Sequence, residues 1–365
     1  MKVIIACGGT GGHIYPALAI ARGLVARIPG VEVLFVGTAH GMERTIIPQH
    51  GFAFTAIEAQ GLDRSSLRKK MRALSRLPVG FWQARQVLRS FPARLVVGTG
   101  GYASYPMVLA AQMLGVPTVI HEQNAIPGLA NRLLARRAER VLLTFSEAAE
   151  FLPGARVEVT GLPVRPEIVA MSRSEARQRL ELDAELFTVL VFGGSRGARS
   201  INCAVQAMVE AHRGEGMQVV WVTGEAWQQQ APELSPQARE AWGRRLRVIA
   251  YQHHMAEALA AADLAVCRAG AATLAELAIV GLPAILVPYP YAADAHQERN
   301  ARALEARGAV EVIVDEFLDG EVLWKHISAL SEHRERLRAM AEAMRSTARP
   351  DALERIVDVL AAYLV

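Results

Sequence analysis

The stretch that decides the fold is Cys7-Gly8-Gly9-Thr10-Gly11-Gly12-His13, close to the amino terminus. It follows the apolar run Val3–Ala6, typical of a buried strand, and precedes an apolar-periodic segment typical of a helix. Its four glycines allow a sharp turn and leave backbone N–H groups uncovered beside the positive end of that helix. Such a loop either receives an anion, usually phosphate, or is an ordinary glycine turn of an α/β fold. His13 is the one titratable side chain that it presents.

The same pattern occurs a second time. The apolar run Thr188–Phe192 leads into Gly193-Gly194-Ser195, which match Gly8-Gly9-Thr10 at one constant offset. A related pair of segments stands at Val96–Gly101 and Ala265–Gly270. The repeat predicts two doubly wound α/β units, in which ligands sit beyond the carboxyl ends of the strands.

Other apolar runs extend this α/β pattern along the chain. They predict further strands at Val31–Val36, Leu95–Val97, Thr118–Ile120, Val141–Leu143, Val219–Val222, Arg247–Ile249, Leu264–Val266 and Ala284–Val287. A segment with two prolines, Gly161–Pro166, is typical of an interdomain linker. We therefore predict an N-terminal domain at 1–163, a C-terminal domain at 164–349, and a final helix at 350–365 that packs back on the first domain.

Bulk composition is that of a soluble protein. The 365 residues are 52% hydrophobic and 21% charged, and the length suggests about two domains. An odd cysteine count, with each in or beside an apolar segment, favours core residues of a reducing compartment over disulfides or a metal set. No signal peptide is visible, and the longest apolar region is interrupted by glycine and proline. We expect a cytoplasmic protein.

Charge is distributed unevenly. Residues 1–163 carry 18 Lys and Arg against 9 Asp and Glu, whereas residues 164–365 carry 22 against 27. Nine basic residues and no acidic one lie between Arg64 and Arg94, interleaved with apolar and aromatic residues. This pattern favours an anionic membrane surface, and the alternatives are a packed helix with a solvated basic face or a nucleic-acid site. No recognised nucleic-acid motif accompanies the charge.

A nicotinamide enzyme is disfavoured. The first loop does not fit G-x-G-x-x-G, and no acidic residue ends the strand Val31–Val36 to hold a ribose.

The second unit contains the most informative helix start, Gly270–Glu276. Its small residues leave N–H groups free to bind phosphate, and the Glu276 carboxylate can accept both hydroxyls of a ribose. The alternative for Glu276 is an acid that complements the helix dipole. The polar cluster Asp294–Asn300 also favours a ligand.

In these motifs, with the run His121-Glu122-Gln123-Asn124-Ala125-Ile126-Pro127-Gly128, the chain resembles the bacterial glycosyltransferases that make lipid II. The resemblance covers nearly the whole chain in order. It implies a GT-B fold of two Rossmann-like domains facing a cleft, and an inverting transfer of N-acetylglucosamine from its UDP donor to undecaprenyl-pyrophosphoryl-N-acetylmuramyl-pentapeptide. It also implies peripheral attachment to the cytoplasmic face of the membrane, in peptidoglycan synthesis.

The resemblance also implies binding residues. The donor set is Thr10, Gly11, Gly12, Asn124, Arg165, Ser195, Gln252, Gly270, Ala271, Ala272, Thr273, Leu274, Glu276 and Gln297. The acceptor set is Gly8, Gly9, Tyr102, Ser104 and Asn124, and the membrane set is Arg68, Lys69, Lys70, Arg72, Leu77, Phe81 and Trp82. One departure is the stretch Tyr251–His254, since acidic residues often stand there in the family.

Physical chemistry supports a transfer without cofactor or metal. No Asp-x-Asp occurs, so helix ends and glycine loops rather than a cation would stabilise the leaving UDP. Attack by the muramyl 4-hydroxyl needs a base, and histidine is the side chain that titrates nearest neutral pH, which favours His13. Glu122 is the rival base; alternatively it orders its loop with Asn124.

Three other classes stay open. A UDP-N-acetylglucosamine 2-epimerase would share the donor domain but has no use for the basic segment. A GT-B transferase with a soluble acceptor is the second class. A non-catalytic nucleotide- or lipid-binding protein, the third class, would not need His13.

Overall fold

The chain forms two compact units, Met1–Val164 with Arg349–Val365, and Arg165–Ala348. The structure is a computed structural model that describes residues 1–60, 67–194, 197–230 and 232–364, with backbone alone for 67–75 and 169.

The first unit is built on a parallel sheet. Within the described residues it has seven strands, in the order β3-β2-β1-β4-β5-β6-β7. The strands are β1 (Lys2–Ala6), β2 (Glu32–Gly37), β3 (Ala53–Ala56), β4 (Leu95–Gly98), β5 (Thr118–Glu122), β6 (Arg140–Leu143) and β7 (Val157–Val159). The helices are α1 (Gly11–Arg27), α2 (Glu43–Gln49), α3 (Leu67–Ser90), α4 (Ser104–Met113) and α5 (Leu129–Ala135), with a 3-10 turn at Ser146–Phe151. The central strands are continuous apolar runs because helices cover both faces of the sheet.

The second unit repeats the architecture with a parallel sheet in the order β10-β9-β8-β11-β12-β13. Its helices are α6 (Pro166–Ala170), α7 (Arg173–Arg179), α8 (Arg199–Ala211), α9 (Glu225–Gln230), α10 (Pro236–Trp242), α11 (Met255–Ala261), α12 (Ala271–Val280), α13 (His296–Glu305), α14 (Gly320–Glu332) and α15 (Arg334–Ser346). Its strands are β8 (Phe187–Phe192), β9 (Met217–Val222), β10 (Leu246–Ile249), β11 (Leu264–Cys267), β12 (Ala284–Leu286) and β13 (Val310–Val312). Short 3-10 turns lie at Gly243–Arg245, Ala293–Ala295 and Asp315–Phe317.

The strand order reverses at one point in each sheet. This switch point lies between β1 and β4 in the first sheet and between β8 and β11 in the second. The loops that leave these four strands are the four glycine-containing segments of the sequence repeat. Ligands of doubly wound sheets bind at such a point, so the repeat lies where binding is expected. The prediction of two doubly wound α/β units is confirmed.

The last helix, α16 (Ala352–Ala361), belongs to the first unit. Its residues Ile356, Val357 and Leu360 are buried in the same apolar cluster as Leu24 of α1. The two helices approach so closely that a Cβ on Gly23 would lie 2.7 Å from a Val357 methyl carbon. The C-terminal helix α16 therefore completes the apolar core of the first unit.

The cysteines lie in two environments. Cys7 directly follows the buried strand β1, Cys267 ends the buried strand β11, and burial raises the pKa of both thiols, which keeps them protonated. Cys203 is instead exposed on α8, so the expectation that all three are core residues is wrong for it. The physical reason is that α8 is amphipathic and Cys203 stands on its solvent side.

We expect Leu360→Ala to destabilise the first unit by roughly 2–5 kcal/mol, because a fully buried side chain is removed without collapse of the site. Amide hydrogen exchange along α1 measures the loss in this unit alone. Val25→Ala, at an exposed position of α1, is the control and should change little. Equal effects of the two substitutions would contradict the packing of α16.

Candidate active site

The first glycine loop rests on a buried carboxylate. Glu43, at the start of α2, accepts hydrogen bonds from the Gly9 N–H at 3.2 Å, the Thr38 N–H at 2.9 Å and the Thr38 hydroxyl at 2.7 Å. Glu43 is fully buried, and a Cβ on Gly8 would lie only 2.6 Å from its Oε1. Sequence reasoning missed Glu43, because an acid at a helix start usually faces solvent and nothing local marks this one as buried.

The loop after β4 packs directly against the first loop. Gly101 has φ of +84°, and a Cβ there would lie 2.1 Å from the carbonyl oxygen of Gly8. A Cβ on Gly100 would lie 2.7 Å from Nδ1 of His13. Only glycine permits this approach, which brings both loops of the first switch point around one imidazole.

His13 is the third residue of α1 and is partly exposed. Its Nδ1 lies 2.9 Å from Oε1 of Gln123, and its carbonyl oxygen accepts a hydrogen bond from the Thr99 hydroxyl at 3.1 Å. Nε2 of His13 has no hydrogen-bond partner among the described residues. The imidazole is therefore held at Nδ1 by Gln123, and its Nε2 is available to a ligand.

Behind His13 lies a buried polar network. Nε2 of Gln123 donates to the Thr99 carbonyl at 2.9 Å and lies 3.0 Å from Nδ1 of His121. Nε2 of His121 lies 3.0 Å from the carbonyl oxygen of Gly161. Burial lowers the pKa of His121 to about 4, and the nearby His13 adds to this. His121 is neutral at pH 7.

Glu122 is buried and organises the loop that follows β5. Its carboxylate accepts from the Asn124 N–H at 3.0 Å, the Asn124 side chain at 3.4 Å, the Gly128 N–H at 3.1 Å and the Asn131 side chain at 2.7 Å. These donors occupy both carboxylate oxygens and place Asn124 at the surface of the loop, partly exposed.

The two side chains predicted to line an acceptor site differ in exposure. Tyr102 is 56% exposed, whereas Ser104 is fully buried. The Ser104 hydroxyl lies below Gly98, where an added Cβ would come within 2.7 Å of it, and it has no hydrogen-bond partner among the described residues. Ser104 begins α4 and faces the sheet, so its hydroxyl does not reach an acceptor in this conformation.

In the second unit, the predicted phosphate site lies at the start of α12. Gly270 caps the helix in an extended conformation, and the first turn contains no acidic residue. Ala272 and Thr273 are at least partly exposed, whereas Leu274 is buried and its N–H already bonds the Gly270 carbonyl. Leu274 therefore supports the turn as a core residue. Ser195, also in the predicted donor set, lies outside the described residues.

Two predicted donor residues that are distant in sequence meet here. Oε1 of Glu276 accepts from Nε of Arg165 at 3.1 Å and from Nη2 at 2.9 Å. Oε2 has no partner among the residues that the structure describes. Burial raises the pKa of Glu276, and Arg165 opposes that shift. Glu276 lies beyond the first turn of α12, which disfavours the helix-dipole alternative.

A second arginine, missed by sequence reasoning, braces the switch-point loops of this unit. Arg268 donates to the Val287 carbonyl at 3.0 Å and to the Ser200 hydroxyl at 2.9 Å, and it pairs with Asp315. The Asn300 side chain donates to the Ala269 carbonyl at 3.2 Å. A basic residue between a strand and a glycine was the available signal, but its acidic partner lies 47 positions away.

Two further donor candidates occupy loops of this unit. Oε1 of Gln297, at the start of α13, accepts from the Tyr289 N–H at 2.9 Å. Asp294 and Ala295 just before it both have φ of +52°, a conformation that is costly outside glycine and is concentrated at ligand sites. Gln252 donates to the His254 carbonyl at 3.0 Å and is partly exposed.

A separate cavity of about 540 Å³ in this unit is lined by residues of α7, α12 and α15 and includes none of the predicted donor residues. Across the described parts of the chain, no three potential metal-binding side chains lie together. In the same residues, no helix has both the length and the apolar character needed to span a bilayer.

Comparison with protein families gives two matches in order. The glycosyltransferase family 28 N-terminal domain matches residues 3–143, and the family 28 C-terminal domain matches residues 188–356. A relative from Desulfitobacterium hafniense (strain Y51) is 47% identical over 98% of both chains, and one from Moorella thermoacetica is 46% identical over 99% of this chain and 98% of its own. Both are named UDP-N-acetylglucosamine–N-acetylmuramyl-(pentapeptide) pyrophosphoryl-undecaprenol N-acetylglucosamine transferase.

Solved structures agree with the fold. MurG of Acinetobacter baumannii matches with a TM-score of 0.79 and 29% identity over 99% of each chain. A UDP-N-acetylglucosamine 2-epimerase of Neisseria meningitidis matches with a TM-score of 0.65 but 15% identity, over 99% of this chain and 100% of that one, which shows a shared fold alone.

The paired switch-point loops and these matches define the class as a GT-B glycosyltransferase. The chain belongs to glycosyltransferase family 28, which confirms the family predicted from the sequence motifs.

The buried His121 predicts a pH dependence of stability. The unfolded chain binds a proton here below about pH 6.5, whereas the folded unit resists protonation until about pH 4. The unfolded state therefore binds more protons between these values, and stability contributed above pH 6.5 is lost as pH falls through the window. The loss is roughly 3 kcal/mol, at about 1.4 kcal/mol for each pKa unit.

Urea unfolding monitored by amide exchange in β5 measures this dependence between pH 7 and pH 4. His121→Phe should flatten it, and His40→Phe, at an exposed position of the same unit, should not. An unchanged slope in His121→Phe would contradict the assignment.

Proposed function

We propose that this chain transfers N-acetylglucosamine from UDP-N-acetylglucosamine to the 4-hydroxyl of undecaprenyl-pyrophosphoryl-N-acetylmuramyl-pentapeptide, with inversion. The observation that carries the proposal is full-length similarity to transferases of that name, 47% identical over 98% of both chains. The fold shared with an epimerase does not favour epimerisation, because at 15% identity it shows architecture alone.

The donor binds the second unit in this proposal. The first turn of α12 offers uncovered N–H groups and no competing acid, which suits the diphosphate of UDP. Oε2 of Glu276 is free to accept from the ribose, while Arg165 holds the carboxylate in place through Oε1. As the anomeric carbon–oxygen bond breaks, its electron pair leaves with UDP, and the helix end stabilises that charge.

The acceptor binds the first unit. The buried Glu43 carboxylate takes the Gly9 N–H, so this loop presents fewer free donors to a diphosphate than the α12 site does. Its other predicted contacts, Tyr102 and Asn124, are at least partly exposed. The loop is better suited to a sugar hydroxyl beside His13 than to UDP.

His13 is the base in this proposal. Its free Nε2 can take the proton of the 4-hydroxyl as that oxygen forms a bond to the anomeric carbon. Glu122 is a poor rival, because four hydrogen bonds hold both of its oxygens inside the loop.

The protein acts at the cytoplasmic face of the membrane as a peripheral enzyme, with α3 as its contact. On the outer face of α3, Trp82 is 59% exposed and Val79 is 46% exposed. Phe81 packs partly against the core instead, and Arg76 pairs with Glu58 at 3.2 Å. Trp82, with the basic residues Arg68, Lys69, Lys70 and Arg72, is therefore the proposed contact, and the side chains of those four lie outside the described residues.

The proposal is tested by radiolabel transfer from UDP-N-acetylglucosamine to a lipid-linked muramyl acceptor, with and without excess EDTA. We expect label in the lipid product at the same rate with and without EDTA.

His13→Ala should lower kcat by about 10²–10⁴-fold with little change in donor affinity, because only a transition-state interaction is lost. Glu122→Gln is the comparison; a larger kcat loss there than in His13→Ala would reverse the assignment of the base.

Replacement of the ribose partner should weaken donor binding. We expect Glu276→Ala to reduce UDP affinity by roughly 2 kcal/mol, since hydrogen bonds to a charged group are lost. Calorimetric titration measures it, with Glu335→Ala at an exposed position of α15 as the control. Because the pKa of Glu276 is raised, wild-type affinity should begin to fall at a higher pH than an ordinary glutamate would give. Unchanged affinity in Glu276→Ala would place the ribose elsewhere.

Membrane attachment is tested by co-sedimentation. The protein should bind anionic vesicles, ignore neutral ones and dissociate at high salt, because each basic residue near the surface contributes ~1 kcal/mol that salt screens. Joint replacement of Arg68, Lys69, Lys70 and Arg72 by Gln should abolish binding and leave UDP affinity intact. Wild-type protein that ignores anionic vesicles at low salt would show α3 to be an ordinary packed helix.

A further inference from the structure

We infer that His121 and Gln123 are positioning residues that fix the tautomer of His13, so that Nδ1 carries the proton and Nε2 the lone pair. The inference rests on the proposed function for its kinetic meaning, since it explains how His13 is kept ready as a base. Three hydrogen bonds connect the Gly161 carbonyl oxygen, through His121 and Gln123, to the imidazole of His13.

The first step sets the tautomer of His121. Its Nε2 lies 3.0 Å from the carbonyl oxygen of Gly161, and a carbonyl oxygen can only accept. Nε2 therefore carries a proton. Because the fully buried ring is neutral, Nδ1 has no proton and is an acceptor.

The second step sets the orientation of the Gln123 amide. One of its terminal atoms lies 2.9 Å from the Thr99 carbonyl oxygen, 3.0 Å from Nδ1 of His121 and 3.1 Å from the His121 carbonyl oxygen, and all three are acceptors. That atom is the NH₂ group, since the flipped amide would place its oxygen against three acceptors in a buried site. The amide oxygen must then face His13.

The third step sets the tautomer of His13. The amide oxygen of Gln123 lies 2.9 Å from Nδ1 and can only accept, so Nδ1 donates. In the neutral ring the lone pair is on Nε2, which has no other partner in the described chain. During transfer, the hydroxyl proton moves to Nε2, and the resulting imidazolium keeps its Nδ1–H bond to a neutral amide.

A neutral glutamine at this position has a chemical consequence. An isolated histidine side chain prefers the opposite tautomer, with the proton on Nε2, where it would block the base. The network overrides that preference without placing a negative charge beside the ring. Gln123 is 2% exposed, so water does not replace its contact.

The direct test is nitrogen-15 NMR of protein labelled at histidine, with the His13 signals identified by their loss in His13→Ala. At a pH where the ring is neutral, we expect a protonated Nδ1 and an unprotonated Nε2 in the wild-type protein. A protonated Nε2 in neutral His13 would overturn the inference without any mutation of the network.

Mutants separate the role of Gln123 from simple packing. Gln123→Met keeps the shape but removes both amide atoms, and we expect a mixed tautomer and a kcat lowered by about 10–10²-fold, with unchanged UDP affinity. The matched control is Gln112→Met, which removes another amide that donates in the same unit, to Thr118 and Leu134, away from His13.

The outcomes distinguish the two proposals. Retention of the Nδ1–H tautomer and of kcat in Gln123→Met would overturn the role of Gln123. If His13→Ala stays active while Gln123→Met still changes the tautomer, the base assignment fails and the network assignment stands. An equal kcat loss in Gln112→Met would reduce the effect to general packing and overturn the inference.

Discussion

The chemistry of the first unit depends on the absence of side chains at one contact. Gly101 lies so close to Gly8 that a single added carbon would overlap its carbonyl oxygen. This contact lets the loops after β1 and β4 close around His13 and brings the Thr99 hydroxyl to its backbone. Thr99 also supplies the carbonyl that fixes Gln123. The close contact between Gly8 and Gly101 therefore positions both the Thr99 hydroxyl at the His13 backbone and the Thr99 carbonyl that holds Gln123.

The switch-point loops of the two units rest on different side chains. Behind the first glycine loop stands a buried carboxylate, Glu43, whereas the loops of the second unit are braced by Arg268. Arg268 is itself paired with Asp315, so the loops of the second unit rest on an ion pair, whereas Glu43 accepts from neutral N–H and O–H donors. Since the field at a loop depends on the charges fixed beneath it, the loops of the two units differ in the field they present. The repeat in the sequence thus gives two similar scaffolds with different electrostatics.

Much of this organisation could be predicted from the sequence, and the rest could not for physical reasons. The central strands and their loops were predictable because buried parallel strands are apolar runs that end at glycine. The edge strands β3, β7 and β13 were missed, since each has only three or four residues and is partly exposed. Contacts between distant residues, such as Arg165 with Glu276, have no local signal, and the burial of Ser104 depends on which way α4 faces the sheet.

The return of α16 to the first unit bears on how the protein is made. The second unit is a continuous segment, whereas the first unit is interrupted by it and needs α16, which is translated after the second unit. The first unit emerges earlier but lacks Ile356, Val357 and Leu360 until the second unit has been translated. During that interval the apolar face of α1 that they cover is exposed, and a nascent chain stalled there is open to chaperones and to aggregation. The unit translated first is thus the last to be completed.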